Sequence, residues 1–413
     1  MNKQLREDAD KIIDGAIKAV CPDEAVRRAL ENVELSGRVY IVSIGKAGWQ
    51  MAKAAVDRLN DQQIDYESGV VVTKYEHVQS DIDKIDCFEG GHPVPDENGF
   101  KATQVAIDMV RDLTEKDTVL FLISGGGSAL FEKPLIDGDE LAEITNQLLK
   151  SGADIVEMNT VRKRLSAVKG GKFALICAPA KVEAIILSDI VGDPLDMIAS
   201  GPAYPDSSTS QDALYIINKY NIEVSEKTLG LLAEETPKVL ENVHTQIIGS
   251  VRELCKAAAY ECEKLGYEPI MLEDDLTCEA DEAGAMLVSK INENLSSWKK
   301  LAFIAGGETV VHIKGHGLGG RNQQLAFSTM KAIAGQKDVA IFSAGSDGTD
   351  GPTDAAGGYV DGESYKALQD AGLDFDAILD DNDCYNGLKA IDGLVITGPT
   401  GTNVNDFCVA LIS

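Results

Sequence analysis

Apolar and polar positions follow two rhythms along this chain. Leu5, Ala9, Ile12, Ile13, Ala16, Ile17 and Val20 recur at helical spacing and predict an amphipathic helix. Pro22-Asp23 ends it, and a second helix starts there. Continuous apolar runs then predict strands over RVYIVSI (38–44), SGVVVTK (68–74), TVLFLI before Ser124, and VEAIILSD (182–189). Helical patterns lie between them, from Gly48 to about Leu59, after GGHPVPDENG (90–99) through Leu113, and from about Gly138 to Ala178. Strands alternating with helices imply parallel βαβ units, with ligand loops at the carboxyl ends of the strands.

Residues 207–244 read as helical and polar, with Pro237 near their end, and a domain boundary is placed there. TQIIGS (245–250) opens a second series, in which Ser250 and Glu253 have capping-box spacing. Its later apolar runs are 268–272, 301–305, TVVHI (309–313), 338–344, 393–397 and 407–413. The expected architecture is α/β, with two domains, 1–240 and 241–413, and largely parallel sheets. The first is expected to be Rossmann-like, with the active site in the cleft between the two. No internal sequence repeat is visible.

Charge narrows the partners. Asp and Glu number 67 against 38 Lys and Arg, for a net charge of −29. Nucleic acid and anionic membrane surfaces both need a basic face, so neither is expected as a partner. No apolar run approaches the ~20 residues of a membrane helix, and the N-terminus has no signal-peptide core. None of the eight cysteines forms a C-x-x-C pair, which fits core thiols in a reducing cytoplasm. The sequence does not fix the oligomeric state, and a homodimer is compatible with it.

Against this acidity, glycine loops and acid-free stretches locate candidate anion sites. The run TVLFLI ends in Ser124, Gly125, Gly126, Gly127 and Ser128, where backbone N–H groups can approach a ligand closely. Gly45-Lys46-Ala47-Gly48 follows a strand and opens a helix, so Lys46 can reach an anion held there. Residues 158–182 hold Arg162, Lys163, Arg164, Lys169, Lys172 and Lys181 with no acid, and Lys169 stands beside a glycine pair. Residues 309–337 hold Lys314, Arg321, Lys331 and Lys337. Arg321 follows Gly315-His316-Gly317-Leu318-Gly319-Gly320, a literal G-x-G-x-x-G. That motif raises the alternative of an NAD(P)H-dependent reductase, although Asp338 and Asp347 are poorly spaced for its ribose acid. No Walker A motif occurs.

Carboxylates supply candidate bases and metal ligands. Asp189 and Asp193 stand at a strand end, and either could take a hydroxyl proton. Asp347, Asp350 and Asp354 lie in SAGSDGTDGPTDAAGG and suit Mg²⁺ with water and phosphate completing the shell. Thr400, Thr402 and Asn403 in TGPTGTNVND offer hydrogen bonds to a polyol or a nucleotide. His92, before a proline, could be catalytic, but a His-Pro turn histidine is more often structural.

Taken together, SIGKAG, GGHPVPDENG, LISGGGSAL, LSDIVGDPLDMIASGP, GGETVVHIKGHGLGGRNQQLAF, SAGSDGTDGPTDAAG and TGPTGTNVND resemble the class II glycerate kinases with a MOFRL C-terminal domain. The resemblance spans nearly the whole chain, in order. It implies ATP-dependent phosphorylation of D-glycerate, usually at the 2-hydroxyl, with Mg²⁺ and an active site between two α/β domains. It places the family's important lysine on Lys46 and its arginine on Arg321. A Glu is common in the family where this chain has Gln324. Some relatives carry the label hydroxypyruvate reductase, which keeps the reductase alternative open.

The resulting expectations are specific. Lys46 and Arg321 neutralise phosphoryl oxygens or hold the glycerate carboxylate. Asp189 is the first choice of base and Asp193 the second. Ser124 to Ser128, Lys169 and Asn403 are expected to bind ATP, and Asp193, Glu308 and Asp347 to serve Mg²⁺. A non-catalytic sensor of small acids is a third class, carried only by the basic stretches.

Overall fold

The computed structural model describes all residues except Asn32, Asp189 and Val191. They group into two compact units. One comprises 25–188 and 193–248, and the other 1–24 and 249–413 with Ile190 and Gly192.

The first unit is built on six strands. These are β1 (Val39–Ile44), β2 (Ser68–Lys74), β3 (Ile85–Gly90), β4 (Thr118–Ile123), β5 (Lys181–Leu187) and β6 (Val243–Gly249). Their order is β3-β2-β1-β4-β5-β6, the Rossmann order. β1 pairs in parallel with β2 and β4, β2 with β3, and β4 with β5. The strand order reverses between β1 and β4, where ligands bind in open α/β sheets. Ile44 lies opposite Ile123, so the loops after these two strands emerge side by side.

Burial explains the composition of these strands. β4 is inaccessible at all six positions, which is why TVLFLI carries no polar alternation. Phe121, Phe131 and Phe173 pack with ring centroids 4.8–5.9 Å apart beneath the loop that follows β4. A smaller core joins the helices Gly138–Lys150, Ile155–Arg164, Ser210–Lys219 and Glu226–Leu232 through Leu141, Leu148, Val161, Ile217 and Leu232.

The second unit has β7 (Glu268–Met271), β8 (Leu301–Gly307), β9 (Val339–Gly345), β10 (Gly357–Asp361), β11 (Leu394–Val395) and β12 (Asp406–Ile412), in the order β11-β10-β9-β12-β8-β7. The α/β expectation holds, but this sheet is mixed rather than largely parallel. β12 runs antiparallel to both β8 and β9, and β10 antiparallel to β9 and β11; only β7 and β8 pair in parallel. β12 enters from a loop, not from a crossover helix, so nothing forces it to run parallel. Asp406 therefore lies opposite both Gly307 and Gly345, which brings the residues after β8 and β9 to the start of β12.

Three sequence expectations are corrected. The run 245–250 does not open the second sheet; it falls within and just after β6, the edge strand of the first. TVVHI is not a strand. The chain leaves the sheet at Gly307, and Val310 and Ile313 are exposed. Residues 1–24, placed with the first domain, pack in the second unit. There the helix Lys3–Ala19 lies on the helix Val251–Lys264 and on β9. The Tyr267 hydroxyl donates to Asp8 (2.9 Å), the Asn2 amide to Asp361 (2.6 Å), and the Thr402 hydroxyl to the Val20 carbonyl (2.9 Å). Among the described residues no helix is long and apolar enough to cross a membrane.

Candidate functional site

In the first unit, the switch point is occupied by two interlocked loops. The Lys46 amide donates to the Gly125 carbonyl (2.8 Å). The buried Ser124 hydroxyl donates to the Ile44 carbonyl (2.9 Å) and accepts from the Ala47 amide (3.1 Å). Ser124 is thus a strut between the loops, and its hydroxyl is already committed. Gly126 has φ +84°, a left-handed conformation that glycine adopts at least cost. A Cβ there would lie 3.0–3.1 Å from the His92 ring and from Lys46 Cγ, so these two side chains flank the loop on one side. The Lys46 carbonyl accepts from Thr73 Oγ1 (3.3 Å) and from His77 Nδ1 (2.9 Å). No described carboxylate pairs with the half-buried Lys46 ammonium.

Lys169 is found behind this loop, not facing a ligand. It is fully buried and pairs with Glu132 (2.5 Å), while also donating to the Ser128 carbonyl (2.7 Å). Burial pulls its ammonium down to about 8, against the opposing pull of Glu132. Arg162 lies 3.9 Å from the same carboxylate. Ser200 Oγ is 3.0 Å from both Ser128 Oγ and Asn159 Oδ1. Ala199 and Ser200 both hold positive φ (51° and 61°), a costly backbone of the kind that gathers at functional sites. Asp193 also has positive φ (50°), and its Oδ1 is buried without a hydrogen bond among the described residues. Asp189 lies outside the described residues.

In the second unit, β8, β9 and β12 bring Glu308, Ser346, Asp347 and Asp406 to a cavity of about 380 Å³. Asn403 and the start of the helix Arg321–Thr329 complete it. Arg321 is held by Asp406 through Nε (2.5 Å) and Nη2 (3.3 Å), and by Glu308 through Nη1 (2.9 Å). Burial opposes its charge, but these bonds outweigh that and hold the guanidinium above its usual value. Asp350 accepts from the amides of Asn322 (3.2 Å) and Gln323 (2.8 Å), capping the helix that carries Arg321. Burial raises both Asp350 and Asp406, the latter to about 6, because Arg321 offsets only part of the desolvation.

This shift carries a pH signature. The folded Asp406 carboxyl titrates at about 6, above the ~3.9 of a free side chain. The folded state then binds more protons, so stability falls as the pH climbs through that window. Asp406→Asn is expected to flatten the slope, as thermal melts between about pH 4 and 7 would show. Parallel melting curves for both proteins would contradict the assignment.

The G-x-G-x-x-G loop has a different occupation. The amides of Gly315, His316 and Leu318 donate to the side chains of Asn382 (3.2 Å), Asp381 (2.9 Å) and Asp383 (2.9 Å), and that of Gly317 to the Asp381 carbonyl (2.8 Å). The N–H groups of 315–318 that a pyrophosphate would use are spent on the segment 381–383, and no strand immediately precedes the loop. Gln324 donates to Asp281 (3.0 Å) and accepts from the Cys384 thiol (3.2 Å); it does not line the Arg321 cavity.

The structure thus gathers Lys46 with Gly125–Ser128 in one cluster, and Arg321 with Glu308, Asp347 and Asn403 in another. Among the described residues, no three His, Cys, Asp or Glu side chains are arranged to hold a metal ion. Sequence reasoning passed over Glu132 and Asp406, read Asp350 as a metal ligand or a cap, and favoured a structural role for His92. Asp406 left one signal, an acid at the border between a polar loop and an apolar run.

A Rossmann-ordered sheet with a cation at its switch point, and a second unit presenting a clamped arginine, define an α/β enzyme that handles small anions. Residues 8–233 match a family described as a domain of unknown function (DUF4147), and residues 301–406 match the MOFRL family. A D-glycerate 2-kinase of Thermotoga maritima is 50% identical, over 99% of each chain. A crystal structure of glycerate kinase from Thermotoga maritima, also 50% identical, covers 100% of both chains with a TM-score of 0.92. A protein of Agrobacterium vitis named a putative hydroxypyruvate reductase is 38% identical, over 97% of this chain and 93% of its own. The chain belongs to the class II glycerate kinase family.

Proposed function

We propose that this protein transfers the γ-phosphoryl group of ATP to the 2-hydroxyl of D-glycerate, releasing ADP and 2-phosphoglycerate. The observation that carries this reading is Lys46, without a carboxylate partner among the described residues, beside the triple-glycine loop at the switch point. Phosphoryl transfer asks mainly for positioning and neutralised charge. Lys46 and Arg321 supply fixed positive charge to phosphoryl oxygens or to the glycerate carboxylate. Amides of Gly125 to Ser128 serve an anion, while Ser124 and Lys169 hold that loop in shape. Asp189 takes the hydroxyl proton, with Asp193 as the second candidate. Its unpartnered Oδ1 suits either that role or a metal contact. Asn403 offers its amide to the nucleotide.

Mg²⁺ arrives chelated to ATP, a form that needs only one or two protein carboxylates. Asp347 fits this demand best, since among the described residues its carboxylate accepts only from the Thr349 amide (2.9 Å). Glu308 would first have to loosen its pair with Arg321. When bound, the ion shields phosphate charge. The net charge of −29 and the free cysteines support a cytoplasmic enzyme of small anions, with neither nucleic acid nor membrane as partner.

The spent amides of residues 315–318 argue against the reductase reading. One assay separates the two. Protein with D-glycerate and Mg-ATP should give ADP, and NMR should identify the product as 2-phosphoglycerate. NADH or NADPH oxidation with hydroxypyruvate, without ADP formation, would overturn the kinase.

A further inference from the structure

We infer that His92 is a second donor to the oxyanion beside Lys46, and that it becomes charged only when that anion is bound. The inference rests on the kinase reading for the ligand's identity but not for its geometry. His92 follows β3 in the GGHPVPDENG loop, yet its ring reaches the switch point. A Cβ on Gly126 would meet His92 Cδ2 at 3.0 Å and Nε2 at 3.1 Å, and Lys46 Cγ at 3.1 Å. The Nε2 edge of the ring and the lysine stem thus face the same side of the same glycine. Neither ring nitrogen has a hydrogen-bond partner among the described residues.

The surroundings fix the sign of the effect. Lys46 from the loop after β1, Lys74 at the end of β2 and His77 in the loop beyond it all act on His92 electrostatically. Two acids on neighbouring segments, Asp96 and Glu89, are otherwise engaged. Asp96 accepts from the Tyr75 hydroxyl (2.6 Å) and the Gly99 amide (2.9 Å), and Glu89 from the amides of His77 (3.0 Å) and Val78 (2.9 Å). His77 is itself oriented, because its Nδ1 can only donate to the Lys46 carbonyl (2.9 Å). Burial first, then repulsion led by Lys46 and Lys74, holds the His92 imidazolium below its ordinary value. An oxyanion docking on Lys46 cancels that repulsion and offers the imidazolium a partner. Binding then takes up a proton, and affinity weakens as the pH rises through the interval between the free and bound values.

Two oxyanions can play this part, the glycerate carboxylate and an ATP phosphate. The chain has five histidines, so their ring C–H resonances can be followed by NMR and His92 assigned from its loss in His92→Gln. Titrations from pH 5 to 9 are run on the free protein, then with D-glycerate, Mg-ATP or inorganic phosphate. The expected result is a His92 midpoint below ~6.5 in the free protein, raised by one pH unit or more by one of these ligands. The ligand that moves it identifies the anion. In steady state, His92→Gln should raise KM for that same substrate about tenfold near pH 6.5 and less near pH 8.5, a pH dependence that mere loss of packing would not produce.

An active enzyme whose His92 midpoint is unmoved by all three ligands would overturn the inference. So would a pH-independent KM effect in His92→Gln. If phosphate raises the midpoint while wild-type protein forms no ADP from D-glycerate and Mg-ATP, the anion site stands and the kinase reading falls.

Discussion

Arg321→Ala is expected to lower kcat by about 10³-fold or more, the range found when a phosphoryl-clamping arginine is removed. The guanidinium is aimed by three hydrogen bonds to Asp406 and Glu308. Its charge is secure at any working pH, since these bonds hold its value above that of a free arginine. Truncation should spare the fold better than is usual for a buried ion pair, because without Arg321 burial raises the Asp406 carboxyl further and lets it take up a proton. Arg321→Lys should recover only part of the loss. A lysine is a point charge and cannot reproduce the planar fork that spans Asp406 and Glu308. Steady-state kinetics beside thermal melts checks both statements. Turnover within a few-fold of wild type in a folded Arg321→Ala protein would remove the residue from the mechanism.

The second large effect is on stability. Glu132→Ala is expected to cost about 3–5 kcal/mol, the usual penalty for leaving a buried charge without its partner. Lys169 is wholly buried and within 2.5 Å of Glu132. With the carboxylate gone, nothing opposes the burial that already pulls this lysine down to about 8. The folded variant then holds Lys169 neutral, while the unfolded chain protonates it below ~10.4. A folded value depressed in this way makes stability rise with pH over that range. Glu132→Leu combined with Lys169→Met should restore much of the loss, as apolar replacement of a buried pair often does. Chemical denaturation at two pH values reads all three variants. An unfolding free energy for Glu132→Ala within ~0.5 kcal/mol of wild type would refute the role of the pair.

Those two sites also show what was legible in the sequence. β1, β4 and β5 are continuous apolar runs, so periodicity located them and the loops that follow. Lys46, Gly126 and Arg321 were visible because glycine and positive charge are conspicuous in a strongly acidic chain. Lys169 was visible for the same reason but misread, because its partner lies 37 positions earlier and burial leaves no trace in local spacing. TVVHI has the apolar content of a strand but pairs only at Val310, in a single bridge with Glu279. Ser124 showed the opposite failure, a polar residue at a loop whose hydroxyl the backbone had already claimed. Strand direction in the second sheet depends on how β12 returns to it, and no residue pattern encodes that. The family resemblance supplied the substrate, which no motif alone could name.

The helix Lys3–Ala19 has a consequence for how the polypeptide is made. Its partners, the helix Val251–Lys264 and β9, are the work of the second half of the gene. At ~5–20 residues per second, a ribosome needs roughly tens of seconds to reach them. During that wait the apolar stripe of Leu5, Ile12 and Ile13, all buried in the finished protein, has nowhere to go. A nascent chain in this condition is a natural client for a holding chaperone. A gene divided near codon 241 would yield one fragment with an orphaned helix and no β6, and another with an uncovered sheet. Co-expression should therefore succeed best where the cut follows β6, after Gly249, and the first twenty-four residues are carried by the second fragment.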